Sequence, residues 1–306
     1  MLYNENILNE DSEISVIIPT YNRPAKLIRL IESIIISTIE VKEIIVIDSF
    51  PNSNTDLIVH QKFPYIKYFK FDRVAYIVEV RNLGLKIATG EYVFMVDDDN
   101  TVSNDCLANL YDEIKKDPSI GVVGPVTCYF NAPNVIMYAG STYSPFMRKT
   151  ISMYNNLNYS YVVNLKYEVD GFANSYMFRK NAALKVYPIP DRMAFGGEDG
   201  YIQYRIKKEL GKKLILVGKA RVFHDINQNE SHSRIIPFRL YYLIRGKIIF
   251  ERDLDNYRKL FFSLFLPIYV FYYLYVALQS GNKKSTLEAV LLGLIDGLFS
   301  NYINRY

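Results

Sequence analysis

Residues 94–100, Phe-Met-Val-Asp-Asp-Asp-Asn, set three carboxylates directly behind an apolar run. Neighbouring carboxylates repel and raise one another's pKa unless a cation or a set of donors offsets the charge. A divalent metal is the economical candidate. Mg²⁺ or Mn²⁺ takes one or two carboxylates and fills its other positions with substrate phosphates and water. From the residues alone, the plainer alternative is an exposed acidic turn. A second acidic pair, Glu198 and Asp199, follows two glycines and opens a helical pattern, where the helix dipole lowers carboxylate pKa values. One of the pair is a candidate general base; the plainer alternative is that both only satisfy the helix N-terminus. His224, in Arg-Val-Phe-His-Asp, is either structural or a neutral imidazole ligand whose second nitrogen is oriented by a partner such as Asp225.

These groups need elements to hold them. Residues 14–19, 43–48, 65–71 and 91–96 are short, nearly continuous apolar runs, each read as a buried strand. Between them lie helical patterns: one from Pro24 to about Ser37 with Leu27, Leu30, Ile31 and Ile34 on one face, and another over roughly 76–88. Buried strands alternating with helices predict a parallel sheet covered on both faces. Ligands bind such sheets beyond the carboxyl ends of the strands, where Thr20, Asp48 and Asp97 all fall. From 120 to 190 the pattern loosens into short strands, turns and many tyrosines. Periodicity returns as an amphipathic helix over 198–211 closed by Gly211, followed by short strands at ILV and VFH.

The chain has 306 residues, half of them hydrophobic, and a net charge of +4, which gives no case for nucleic acid as a partner. Basic residues cluster between Arg205 and Arg221, either as a solvated surface or as a site for phosphate or anionic lipid. Only Cys106 and Cys128 are present, which fits a reducing compartment without a disulfide framework. The polar, acidic N-terminus is unlike a secretory signal and predicts a cytoplasmic catalytic part.

Beyond Ser233 the character changes. A helix mixing Arg and Tyr precedes a charge-free run of nineteen residues, Leu260 to Leu278, which contains Pro267 and four tyrosines. This length is near the lower limit for a bilayer core of about 30 Å. A helix lying in the membrane interface suits the tyrosines best; a span, a core helix or a homo-oligomer contact are the other placements. The expected organisation is a catalytic domain over 1–232 and a helical, membrane-associating region over 233–306.

The wider arrangement, SVIIPTYNRP, EIIVIDS, RNLGLKIATGEYVFMVDDD and GGEDGYIQYRIKKELGKK, resembles the family 2 glycosyltransferases over about residues 14–225. The C-terminal third is similar to the rhamnosyltransferase-like branch. The resemblance implies the GT-A fold, an α/β architecture with a Rossmann-like, mixed but mostly parallel sheet flanked by helices. It also implies inverting, metal-dependent transfer of a hexosyl or deoxyhexosyl group from a nucleotide diphosphate sugar to a hydroxyl of a saccharide or lipid-linked acceptor.

Site roles follow from the same resemblance. Pro19, Thr20, Tyr21, Asn22 and Arg23 would hold the nucleotide, with Asp48 on base or ribose and Arg81 of the R-N-x-G helix on a phosphate or base edge. Asn82 belongs to the same motif. Asp97 would face the ribose or the metal, Asp98 would assist, and Asp99 would be the direct ligand of Mg²⁺ or Mn²⁺, with His224 completing the shell. Asp199 would be the base and Glu198 would orient it or the acceptor. Gly171, Phe172 and Arg179 would line the acceptor side. At Asp48 the chain departs from the family: Ser49 replaces the usual second aspartate, and an irregular loop is expected behind it. A nucleotidyltransferase would want a glycine-rich phosphate loop after the first strand, which PTYNRP is not. A polyisoprenyl-phosphate sugar synthase and a non-catalytic membrane scaffold are the remaining alternatives. The implied location is the cytoplasmic face of the membrane.

Overall fold

The computed structural model describes residues 8–144, 149–194, 197–226, 237–253 and 256–299. The chain divides into two compact units, one comprising Met1–Pro188 and Ile202–Gln228, the other Ile189–Tyr201 and Asn229–Tyr306. A boundary between 232 and 233 lies outside the described residues.

In the first unit β1 (Ile14–Thr20), α1 (Pro24–Ile35), β2 (Glu43–Asp48), α2 (Thr55–Lys62), β3 (Lys67–Lys70), α3 (Ile77–Ile87) and β4 (Tyr92–Val96) alternate as the apolar pattern requires. After β4 come β5 (Asn100–Val102), α4 (Cys106–Lys116), β6 (Ile120–Tyr129), β7 (Ala132–Tyr138) and a hairpin of β8 (Ser141–Ser144) and β9 (Lys149–Ser152). Then follow β10 (Lys166–Glu168), β11 (Ser175–Arg179), α5 (Lys180–Val186), α6 (Glu198–Glu209), whose first residues through Tyr201 count with the second unit, and β12 (Lys213–His224). The main sheet runs β10-β12-β6-β11-β4-β1-β2-β3, with β5 on β12 and β7 on β6. The sheet is mixed: β3, β2, β1, β4, β6 and β12 point one way, and β11 is inserted antiparallel between β4 and β6.

Both faces of the central strands are buried, which explains why they read as unbroken apolar runs. Ile14, Val16 and Ile18 of β1 pack with Leu27, Leu30, Ile31 and Ile34 of α1 and with Leu107, Leu110 and Ile114 of α4. Ile17 points the other way, onto α3. There Gly84 lets the helix approach so closely that an added methyl would stand 2.6 Å from the Ile17 Cγ2.

Two expectations are corrected. The stretch after 120 contains a ten-residue strand, β6, buried throughout. The two short strands expected after 211 are one twelve-residue strand, β12, with an irregularity between Val217 and Arg221. Gly121, Gly124 and Gly218 made these runs look broken. In fact they admit close neighbours, such as the Phe172 ring over Gly124 and the Val162 carbonyl at Gly218. The loop expected behind Asp48 gives way to α2 at Thr55.

In the second unit, α7 (Pro237–Arg252), α8 (Asn256–Gln279) and α9 (Lys283–Phe299) share a core of Leu240, Ile244, Ile248, Ala277 and Val290. Gly293 and Gly297, one turn apart on α9, let α7 come close: an added methyl would stand 2.9 Å from the Tyr241 carbonyl oxygen and 2.8 Å from the Ile248 Cβ. The Tyr241 hydroxyl donates to Asp296 at 2.7 Å. Among the described residues no helix is long and apolar enough to cross a membrane.

Candidate active site

The carboxyl ends of the strands converge because their registers are level: Thr20 pairs Asp48, Val96 pairs Ser175, and His224 pairs Tyr129. After Thr20 the chain must turn sharply into α1. Asn22 takes φ 51°, a conformation that asparagine tolerates better than most residues, and Pro24 then sits in the first turn of the helix. That turn aims Arg23 back at the acidic triplet.

The chain itself supplies cations to all three carboxylates. Arg81, only 3% exposed, donates to the Asp97 Oδ1 at 3.0 Å. Arg23 reaches Asp98 at 2.7 Å and Asp99 at 2.8 Å. Thr20 donates its hydroxyl to Asp98 at 2.7 Å. A metal is therefore not what alone offsets the repulsion between these groups. Asp98 is wholly buried, and burial pushes its carboxyl up to about 6 despite Arg23 and Thr20, with Asp99 and Asp97 adding to the rise. Burial also works against Asp99, but the hydrogen bond and charge of His224, with Arg23 and Lys26, bring it down to about 2.

The proposed metal shell assembles only in part. The His224 Nε2 stands 3.2 Å from the Asp99 Oδ1, whereas Asp97 turns to Arg81. Among the described residues no group of three or more His, Cys, Asp or Glu side chains converges on one point that could hold a metal. One carboxylate and one imidazole nonetheless suit an ion that draws its other ligands from a diphosphate and water. The second nitrogen of His224 faces the Asn174 amide at 3.4 Å and the Met137 sulfur at 3.3 Å, not Asp225. Asp225 pairs with Lys26 and Arg29 of α1.

Asp48 is buried and its carboxylate accepts from the Phe50 amide at 2.9 Å, the Ser53 hydroxyl at 2.5 Å and the Tyr68 hydroxyl at 2.7 Å. These three donors tie Asp48 to the turn that follows β2. Tyr21, 46% exposed beside Phe50 with ring centroids 5.0 Å apart, offers an open aromatic face. On the expected acceptor side, Phe172 is buried over Gly124, and Arg179 donates to the Ile120 carbonyl at 3.1 Å and the Tyr92 hydroxyl at 3.0 Å. The basic cluster is largely engaged as well: Arg205 with Glu209, Lys207 with Glu168 and Asp170, and Lys213 with Asp117. Glu198 and Asp199 form the first turn of α6 and belong to the second unit, Glu198 being buried.

Three residues at the site were not singled out from the sequence. Lys26 stands one turn beyond Arg23 on α1, a spacing the sequence displays. Asn100 donates to the Asp97 carbonyl at 3.0 Å. Asn174, at φ 67°, accepts the Asp97 amide on its carbonyl at 2.9 Å and faces His224. Asn100 closes the acidic turn locally, whereas Asn174 depends on contacts that nothing local announces.

The family model for glycosyl transferase family 2 matches residues 15–183. A poly(ribitol-phosphate) β-N-acetylglucosaminyltransferase of Staphylococcus aureus, TarP, is 34% identical over 117 residues, 37% of this chain and 36% of that protein. The glycosyltransferase GlyA of Streptococcus pneumoniae is 25% identical over 238 residues, 74% of this chain and 32% of that protein. The chain thus spans about a third of the length of these relatives. Among solved structures, GalNAc-T7 with UDP, GalNAc and Mn²⁺ superposes with a TM-score of 0.65 at 18% identity, over 92% of this chain and 54% of that one. S. aureus TarS 1–349 with UDP-GlcNAc gives 0.58 at 17% identity, over 93% and 81%. These two likenesses speak for the fold, and the family match, covering more than half of the chain, decides the rest: the chain belongs to glycosyl transferase family 2.

Proposed function

We propose that this protein transfers a hexosyl or deoxyhexosyl group from a nucleotide diphosphate sugar to an acceptor hydroxyl, with inversion, in assembly of a lipid-linked glycan or polysaccharide. The observation that carries the reading is the acidic turn Asp97–Asp99 at the mouth of the sheet, gathered with Thr20, Arg23, Arg81 and His224. Asp99 and His224 would hold Mg²⁺ or Mn²⁺. When bound, the ion supplies Lewis-acid neutralisation of the leaving diphosphate. Arg23 and Lys26, both part-exposed at the start of α1, add cationic charge beside that position. Tyr21 offers a stacking face for the base, and Asp97 a carboxylate for the ribose.

Asp199 takes the proton of the acceptor hydroxyl as its oxygen bonds to the anomeric carbon. The bond from that carbon to the diphosphate oxygen breaks on the opposite face, and the nucleotide diphosphate leaves. The C-terminal resemblance favours the rhamnosyltransferase-like branch, and the exposed apolar side of α8 favours a membrane surface as the place of work, on the cytoplasmic face expected from the sequence. A polyisoprenyl-phosphate acceptor would want uncommitted cations near α6; Arg205, Lys207 and Lys213 are paired within the chain, which leaves Lys208 on α6 for that role.

A thermal-shift screen of UDP- and dTDP-sugars with and without Mn²⁺ selects the donor, since a bound ligand raises Tm by mass action. UDP or dTDP release from that donor should require Mg²⁺ or Mn²⁺ and disappear in Asp99→Ala. Release that survives both EDTA and this substitution removes the metal role.

A further inference from the structure

We infer that Asp253, at the end of α7, is a positioning residue for the carboxylate proposed as base; the inference rests on the reading of Asp199 given above. Asp199 and Glu198 belong to the same compact unit as α7–α9, so what fixes their turn is found among the helices of that unit. Asp253 gathers two donors on one oxygen. Arg192 reaches its Oδ2 at 2.5 Å, and the Tyr201 hydroxyl donates to the same atom at 3.2 Å.

Tyr201 lies two residues beyond Asp199 in α6, and its amide closes the first helical turn on the Gly197 carbonyl at 2.9 Å. Its ring meets Phe250 of α7 edge-on, with centroids 6.1 Å apart. On the other side, the fully buried Arg245 of α7 donates to the Arg192 carbonyl. Ala194 takes φ 50°, a conformation that persists in a non-glycine residue where the surroundings over-determine it, and Gly197 takes φ 95°, which glycine adopts freely.

The turn bearing Glu198 and Asp199 is thus pinned on both sides to the last two turns of α7, with Asp253 as the common acceptor. A general base misplaced by about 1 Å can lose on the order of a hundredfold in rate. Loosening this tether therefore acts on turnover and leaves the donor site, built from β1, β2 and β4 of the other unit, to bind as before.

The test uses the full chain and three variants: Asp253→Asn, Tyr201→Phe and Asp199→Asn. Nucleotide release from the donor chosen by thermal shift and amide hydrogen exchange are measured on each. Asp253→Asn should lower kcat by about 10- to 100-fold and Tyr201→Phe by less, with donor KM within twofold. Exchange should quicken in peptides covering 189–201 and stay unchanged in β1 to β4. Combined with Asp199→Asn, Asp253→Asn should add little to the loss. Loss of turnover in Asp199→Asn together with wild-type turnover and exchange in Asp253→Asn overturns the tether and leaves the base standing. Wild-type turnover in Asp199→Asn removes the base and, with it, the reason for the tether. Quickened exchange throughout the chain in Asp253→Asn, with Tyr201→Phe silent, overturns it in favour of a general packing role.

Discussion

At the scale of single residues the acidic turn is governed by its counter-charges. Arg23 is shared between Asp98 and Asp99, and Arg81 pairs with Asp97. Removing a partner from a buried carboxylate is more costly than the pair itself is stabilising, because the remaining charge is left desolvated. Arg23→Gln should therefore destabilise the metal-free protein by about 1–2 kcal/mol, the half-exposed guanidinium being partly screened by water. Urea unfolding in EDTA measures it, and Arg23→Lys should recover part of the loss. An unfolding midpoint that does not move would mean that the neighbouring donors already suffice for Asp98 and Asp99. The same pairing separates the three aspartates chemically: Asp98 is an inward strut with its carboxyl near 6, and Asp99 stays ionised to about 2.

At the scale of elements the opposite end of the sheet holds the strands in place. Glu43 at the start of β2 is nearly fully buried. It accepts from the Ser15 hydroxyl of β1 at 2.6 Å, Lys67 of β3 at 2.6 Å, and both the amide and the hydroxyl of Thr89 at 2.6 and 2.8 Å. Burial alone would raise its pKa, but these donors together lower it to about 2. A folded-state pKa below the unfolded value near 4.5 contributes stability that is complete above that value and lost as pH falls toward 2. The amount is about 3 kcal/mol at neutral pH, from 1.36 kcal/mol per unit. Urea unfolding from pH 7 to pH 3 should show the wild type losing more stability than Glu43→Gln, with the two curves converging at the acid end. Parallel curves would deny Glu43 this role. Register at this end sets the register at the other, since β1 and β2 pair in step from Ser15–Glu43 to Thr20–Asp48.

At the scale of the whole molecule the second unit leaves an apolar stripe uncovered. Leu264, Ile268, Phe271, Tyr275 and Leu278 of α8 recur on one helical face and are each at least 60% exposed. On a monomer such a stripe marks a partner or a membrane, and the tyrosines favour the membrane interface. Deleting the C-terminal helices would also strip α7 of α9 and unfasten the turn of Asp199, so point substitutions are the cleaner probe. Phe271→Glu with Tyr275→Glu should cut co-sedimentation with phosphatidylglycerol vesicles at least tenfold, as burying one such ring is worth roughly 1.5–3 kcal/mol. Thermal stability should be retained. Unchanged vesicle binding, with a shift in sedimentation velocity from a larger to a smaller species, would assign the stripe to a second copy instead.

The sequence by itself determined β1, β2 and β4 with the helices α1 and α3, because a strand buried on both faces and a helix with one apolar face are periodic patterns written locally. It also put Thr20, Asp48, Asp97 and His224 at strand ends, hence at one edge of the sheet. Tertiary structure alone decided what those groups touch. Thr20 meets Asp98 across 78 positions and Arg23 meets Asp99 across 76, and no local pattern encodes a partner so distant. The same reason hid β6 and β12, whose glycines read as breaks until their packing neighbours are known. It also assigned the Glu198–Asp199 turn to the helical unit, through an aspartate 54 positions beyond Asp199 (253 − 199) that no motif marks. Short-range pattern specifies elements, whereas the pairing of buried charges is settled only when the chain closes on itself and each must find a counter-charge or lose its hydration unpaid.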